Sequence, residues 1–231
     1  MAVAPLPKKR LFMRYVYVAD AAANNELCNV ISKIVPDSLY SLIGGLRQSE
    51  FGLDTLYDVA YAIKEFRSKF VLPGKGSQFI DSGGYSIIKG DVSPAGIRRF
   101  IQCYNLYLEN QMDNYERIFS LDIPCSLRYS SLNNIQTIHD CNFESLLQTR
   151  NLLSTYDNLR DKLYFVWHFK MKSQYKIWND LYSGLELWKY IKHRAIGGMA
   201  ISKSVEYHFN HMQAIRCWTV CINEFETKGS P

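Results

Sequence analysis

The 231-residue chain has no CxxC pair, no long polar stretch of low complexity, and no run near the roughly 20 apolar residues that a bilayer-crossing helix needs. Each absence excludes something. Its six cysteines (Cys28, Cys103, Cys125, Cys141, Cys217 and Cys221) are scattered, and no histidine stands at zinc-finger spacing from a pair of them. Cys217 and Cys221 would share one helical face, but two thiols alone make a poor tetrahedral site. The thiols therefore read as reduced core residues, with no metal, no disulfide and no other cofactor. Lys8, Lys9 and Arg10 follow two prolines instead of preceding an apolar core, the wrong order for a secretory signal. Residues 1–10 read as a flexible lead-in, 11–226 as a single domain and 227–231 as a tail. The expected location is the cytoplasm (the host's, if the chain is viral), away from membranes.

What is present is a core. Hydrophobic residues make up 47% and charged ones 21%, which excludes wholesale disorder and suits one domain or at most two. The formal charge of +5 is unevenly spread. Between Arg160 and Lys203 stand nine basic residues against three acidic ones, so this segment carries the whole positive excess. Concentrated basicity suits a polyanion, because neutralised phosphates supply most sequence-independent affinity for nucleic acid. It equally suits a lysine-rich solvated helix face. On the first reading Lys170, Lys172, Lys176 and Lys203 are the phosphate contacts.

Short β-rich runs alternate with helical periodicity. Strands are expected at 11–19, 77–81, 117–123, 162–168 and 194–202. Helices are expected at about 54–66, from Ser93-Pro94 onward with Ile97, Phe100, Ile101, Tyr104 and Leu108 inward, and at about 132–155. A further helix is expected from a Ser173 cap through Ile177, Leu181, Leu185, Trp188 and Ile191, and a last one over 204–225. Five strands alternating with helices imply a parallel α/β sheet, either open and doubly wound or closed as a (β/α)8 barrel. The open sheet fits the length more comfortably.

Three clusters lie at strand ends, where both architectures build their sites. In the first, Phe79-Ile80-Asp81-Ser82-Gly83-Gly84-Tyr85-Ser86, an apolar strand delivers a carboxylate, a hydroxyl and two glycines. A tight turn with Asp81 bonding its own amides would read the same way. The second, Phe119-Ser120-Leu121-Asp122-Ile123-Pro124, again ends an apolar run on one Asp. Two such carboxylates facing one pocket can share acid–base or base-recognition work. The third, Ala195-Ile196-Gly197-Gly198-Met199-Ala200, suits either backbone contact with a flat ligand or close helix–strand packing.

In this order and spacing the segments DSGGYS, SLDIP and AIGGMA resemble the tRNA-guanine transglycosylase superfamily over about residues 75–205, closest in character to its DNA-directed branch. The resemblance implies a (β/α)8 barrel, here short at its C-terminal side. It also implies exchange of guanine in DNA or tRNA for a 7-deazaguanine such as preQ0 or preQ1. Carried over by position, Asp81 and Asp122 are the catalytic-centre and base-reading aspartates. Ser82, Gly83, Gly84, Tyr85, Gly197, Gly198 and Met199 line the base pocket, with Tyr85 in place of the usual Phe. His168-Phe169-Lys170 stands where the family has glutamine-glycine-glycine, so His168 is the expected base contact there. The family's zinc cysteines are absent, and no Asp follows Asp180, so its nucleophile has no counterpart. That leaves room for attack by Asp81 itself, or for a partner protein or a second copy that completes the site. It also leaves room for a transglycosylase-fold protein without the reaction, serving a structural or nucleic-acid-binding role.

Overall fold

The computed structural model describes residues 17–19, 34, 37–42, 76–83, 94–123, 135–169 and 172–197. Within them six strands are found: β1 (Tyr17–Ala19), β2 (Ser38–Ser41), β3 (Gln78–Asp81), β4 (Arg117–Phe119), β5 (Leu163–His168) and β6 (His193–Gly197). Four helices accompany them: α1 (Pro94–Gln111), α2 (Ile135–Thr155), α3 (Asp157–Lys162) and α4 (Lys172–Gly184). Every neighbouring strand pair is parallel, and the sheet order is β1-β2-β3-β4-β5-β6. The protein is thus a mixed α/β chain built on a parallel sheet. Its strand order never turns back. A doubly wound sheet reverses at a switch point, so these six strands do not form that arrangement, although the length favoured it.

Several boundaries differ from the sequence expectation. Strand β2 was not anticipated, because Ser-Leu-Tyr-Ser offers no apolar run; it is paired on both edges by β1 and β3. Strand β4 stops at Phe119 instead of running to Ile123, and Lys162 closes α3 instead of opening β5. Ser173 is not the cap of α4, which already includes Lys172, and the helix ends at Gly184. Leu187 and Trp188 belong instead to a separate 3-10 turn, entered through Glu186 in the left-handed region (φ 53°). The helices expected at 54–66 and 204–225, and residues 198–202 of the last strand, lie outside the described residues.

Side chains on a strand alternate between faces, and here they sort cleanly. Ile80, Ile118, Leu163, Phe165 and Trp167 point to one face and are buried in the core. Against that core packs the stripe Ile97, Phe100, Ile101, Tyr104 and Leu108 of α1, each fully buried as the helical spacing required. Helix α4 adds Tyr175, Trp178, Leu181 and Tyr182. The opposite face carries a ladder across four strands. The Arg117 guanidinium lies 5.1 Å from the Phe79 ring and 5.4 Å from the Tyr164 ring, and Tyr164 stacks on His193 at 4.7 Å. Cys103 and Cys141 are buried free thiols, and burial pushes Cys103 up to about 12, which leaves it inert at neutral pH.

Candidate functional site

Asp81 is the last residue of β3, His168 of β5 and Gly197 of β6, so all three stand at the C-terminal edge of the sheet. After Phe119 the β4 chain leaves the ladder, and side chains replace the missing backbone partners. Ser120 N donates to Tyr164 O at 2.9 Å, but the next β5 amide, Val166 N, donates to the Ser120 hydroxyl at 3.0 Å. Asn142 of α2 then takes both backbone groups of Ile123: its Oδ1 accepts from the N–H at 2.8 Å and its Nδ2 donates to the carbonyl at 2.9 Å. Asp122 lies between these two substitutions, 94% buried, with Oδ2 only 2.7 Å from Nδ1 of His168. Because the carboxylate accepts, Nδ1 carries the hydrogen. No other partner of Asp122 Oδ1 or of His168 Nε2 is found among the described residues.

Gly197 pairs in register with His168 and explains how the two side chains meet. A Cβ there would lie 2.9 Å from His168 Nδ1, 3.0 Å from Val166 Cγ1 and 3.2 Å from Asp122 Oδ2. The absent side chain is the space the pair occupies.

Asp81 is half-buried, and its carboxyl is raised to about 7. Burial is the largest cause and the nearby Asp122 carboxylate the second; backbone N–H groups of Gly83 and Ser82 partly offset them. Gly83 adopts φ 84°, the left-handed region, which glycine enters without strain. The turn amides thus bond Asp81, and the carboxyl is nonetheless raised to near neutrality. The Ser82 hydroxyl is fully buried and has no hydrogen-bond partner among the described residues. Beneath the site, Tyr182 OH donates to Val166 O at 2.8 Å and Tyr104 OH to Phe119 O. Burial raises both phenols well above their usual range, with the carboxylates of the site adding to it. They stay protonated and serve as donors.

Of the residues picked out by sequence, the structure brings Asp81, Ser82, Gly83, Asp122, His168 and Gly197 to one edge. Gly84, Tyr85, Gly198, Met199, Lys170 and Lys203 lie outside the described residues. The sequence places Ser120 in the second cluster without a role and does not mark Asn142; the two tie the chain on either side of Asp122 to β5 and α2. The signal for Asn142 existed: with Ser145 and Thr149 it is a polar residue on the inward stripe that Ile138, Leu146 and Leu153 define. Lys172 and Lys176 are exposed and, with Ser173, Tyr175 and Asn179, line a separate cavity of about 400 Å³ on α4. Much of the segment's basicity is answered locally. Arg160 meets Asp157 (3.3 Å), Lys162 meets Asp113 (3.8 Å), Lys176 meets Asp180 (2.6 Å), Lys189 meets Glu186 (3.2 Å) and Lys192 meets Asp161. Asp113 and Asp157 come from outside it, so the segment's excess charge overstates the local field.

Among the described residues no group of three or more His, Cys, Asp or Glu is placed to hold a metal ion, and no helix is long and apolar enough to cross a membrane. Fold and site together define a parallel α/β protein with a carboxyl and a carboxylate–imidazole pair at the C-terminal edge of its sheet. No family model, no curated protein and no solved structure matches the chain.

Proposed function

We propose that this protein exchanges guanine in a polynucleotide for a 7-deazaguanine base, in a (β/α) barrel to which the six described strands belong. The observation that carries the reading is the meeting of Asp81, Asp122, His168 and Gly197 at one strand edge, from segments spread over more than 100 residues of sequence. In a parallel sheet of unbroken order, the right-handed crossovers that such sheets use place the connecting segments on one face. Parallel sheets are covered on both faces, and curling into a barrel covers the face that bears Phe79, Tyr164 and His193.

Within the site, Asp122 accepts from the N–H groups of a guanine-like edge and His168 extends that contact. Asp81, near neutrality, takes or gives the proton as one base leaves and another enters. Gly197 supplies backbone at the wall. A purine base is flat, and a site walled by glycine suits it. A partner chain supplies the nucleophile; where Asp81 itself attacks, its carboxylate bonds C1′ as the bond from C1′ to guanine breaks, and the Asp122–His168 pair carries the proton instead.

The test is incorporation of labelled preQ0 or guanine into guanine-containing DNA and tRNA. The wild-type chain is expected to label one of the two polymers, and Asp81→Asn to lose the activity by about 100-fold or more. A second reading rests on Asp122 and His168 being held to each other at 2.7 Å, a pairing suited to recognition: the same site binds a base or nucleic acid without exchanging it. Base binding by calorimetry without incorporation would select that reading, and neither binding nor incorporation would end both. Contact with nucleic-acid phosphates is tested separately. Replacing Lys170, Lys172 and Lys176 with Gln is expected to lower the slope of log affinity against log salt by up to about 3; an unchanged slope removes these lysines from the interface.

A further inference from the structure

We infer that Asn142 is a positioning residue: by clamping Ile123 it holds Asp122 against His168, and so fixes which imidazole nitrogen faces the ligand. Asp122 stands on backbone that has left the sheet, where no ladder bond restrains it. A carboxylate there would swing with its chain. Two buried side chains prevent that. Ser120 ties the near side to β5 through Val166 N, and Asn142, 99% buried on α2, ties the far side with two bonds at 2.8 and 2.9 Å. A primary amide carries a donor and an acceptor side by side, so it can donate to the carbonyl and accept from the N–H of the same residue. The clamp reaches from the helix layer to the residue next to Asp122 and so ties α2 to the site.

The consequence appears at His168. With Oδ2 of Asp122 held 2.7 Å away, Nδ1 carries the hydrogen, and Nε2 is left to a ligand as an acceptor when the ring is neutral or as a donor when it is charged. Among the described residues Asp122, on the departing β4 chain, bonds the ring, and the titratable groups that act on Asp122 and its neighbour Asp81, at the end of β3, are Tyr104 on α1 and Tyr182 on α4. The two tyrosines remain protonated, which leaves Asp122 to set the tautomer. This inference concerns the pair itself and stands apart from the base-exchange reading.

Nitrogen-15 NMR of the histidine-labelled full chain tests it, with the His168 signals assigned through His168→Gln. The neutral ring is expected as the Nδ1–H tautomer in the parent chain and as largely Nε2–H in Asn142→Leu. Asn142→Asp, which keeps the acceptor and loses the donor, should fall between and serves if the Leu variant does not fold. The control is Thr149→Val, which removes a buried bond to Ser145 O from the same helix and should leave His168 as in the parent. In parallel, guanine affinity by calorimetry should fall about 10-fold in Asn142→Leu and not in Thr149→Val. An Nε2–H ring in the parent, or an unchanged His168 in a folded Asn142 variant, overturns the inference. If the tautomer shifts as expected but no purine binds even the parent, the positioning role stands and the base-exchange reading falls.

Discussion

Asp81→Asn is expected to be more stable than the parent chain at pH 8.5, and inactive. The Asp81 carboxyl goes from an ordinary value of 3.8 in the unfolded chain to about 7 in the folded one. Below pH 3.8 both states hold the proton and the group costs nothing. Between 3.8 and 7 the unfolded chain releases its proton while the folded one keeps it, so stability falls as pH rises. Above 7 the full cost of a buried charge beside Asp122 is present, about 3 kcal/mol for a shift of this size after allowing for the side chain's partial exposure. An amide in that position carries no charge and still offers an oxygen to the Ser82 and Gly83 N–H groups. Urea unfolding of both proteins at several pH values should give two stabilities that diverge from pH 4 upward and run parallel above 8. Equal stabilities at every pH would show that the carboxyl is not held near neutrality. A gain in stability with loss of activity is the mark of a strained functional group, since a purely structural carboxylate would lose stability when replaced.

Gly197→Ala should damage the site more than the fold. The added methyl would enter a space bounded by His168 Nδ1, Val166 Cγ1 and Asp122 Oδ2 at 2.9 to 3.2 Å, all closer than ordinary contact. Val166 is 96% buried, so on that side little can yield. The displaced groups are therefore the imidazole and the carboxylate, and their 2.7 Å bond is the first interaction lost. Overpacking of this kind costs about 1–3 kcal/mol, which a urea titration will read. An ångström of misplacement in a site costs about 100-fold in activity, so base exchange or base binding should fall by that order. A variant with parent-like His168 resonances and parent-like affinity would show that Gly197 is a packing residue only.

The strand-end aspartates were legible because the pattern that reveals them is local. Phe79-Ile80-Asp81 and Phe119-Ser120-Leu121-Asp122 each break an apolar run with a carboxylate, and a buried carboxylate with no charge beside it in sequence needs a reason. His168 was visible only through the resemblance, since a histidine ending Leu-Tyr-Phe-Val-Trp-His reads equally as a core residue. Nothing local marks Ser120 as the partner of Val166, 46 residues on, because the β4–β5 ladder must first end at Phe119 for its hydroxyl to be needed. Strand β2 escaped notice for a related reason. Its four residues set only Leu-Tyr between two serines, and they are extended because neighbours on both sides supply the hydrogen bonds. The basic segment also needed the fold: in sequence it is one run of charge, and folding brings Asp113 and Asp157 to Lys162 and Arg160.

By itself the sequence determined that this is a parallel α/β chain with carboxylates at strand ends. Helical and strand periodicities are written in neighbouring residues, and a carboxylate is driven out of an apolar run by its own desolvation cost. Only the tertiary structure decided the strand order without reversal, and the joining of Asp122, His168 and Gly197 under the clamp of Asn142. Those depend on which strands pair and in what register, and pairing between residues tens of positions apart is settled by packing across the whole core and not by any single segment.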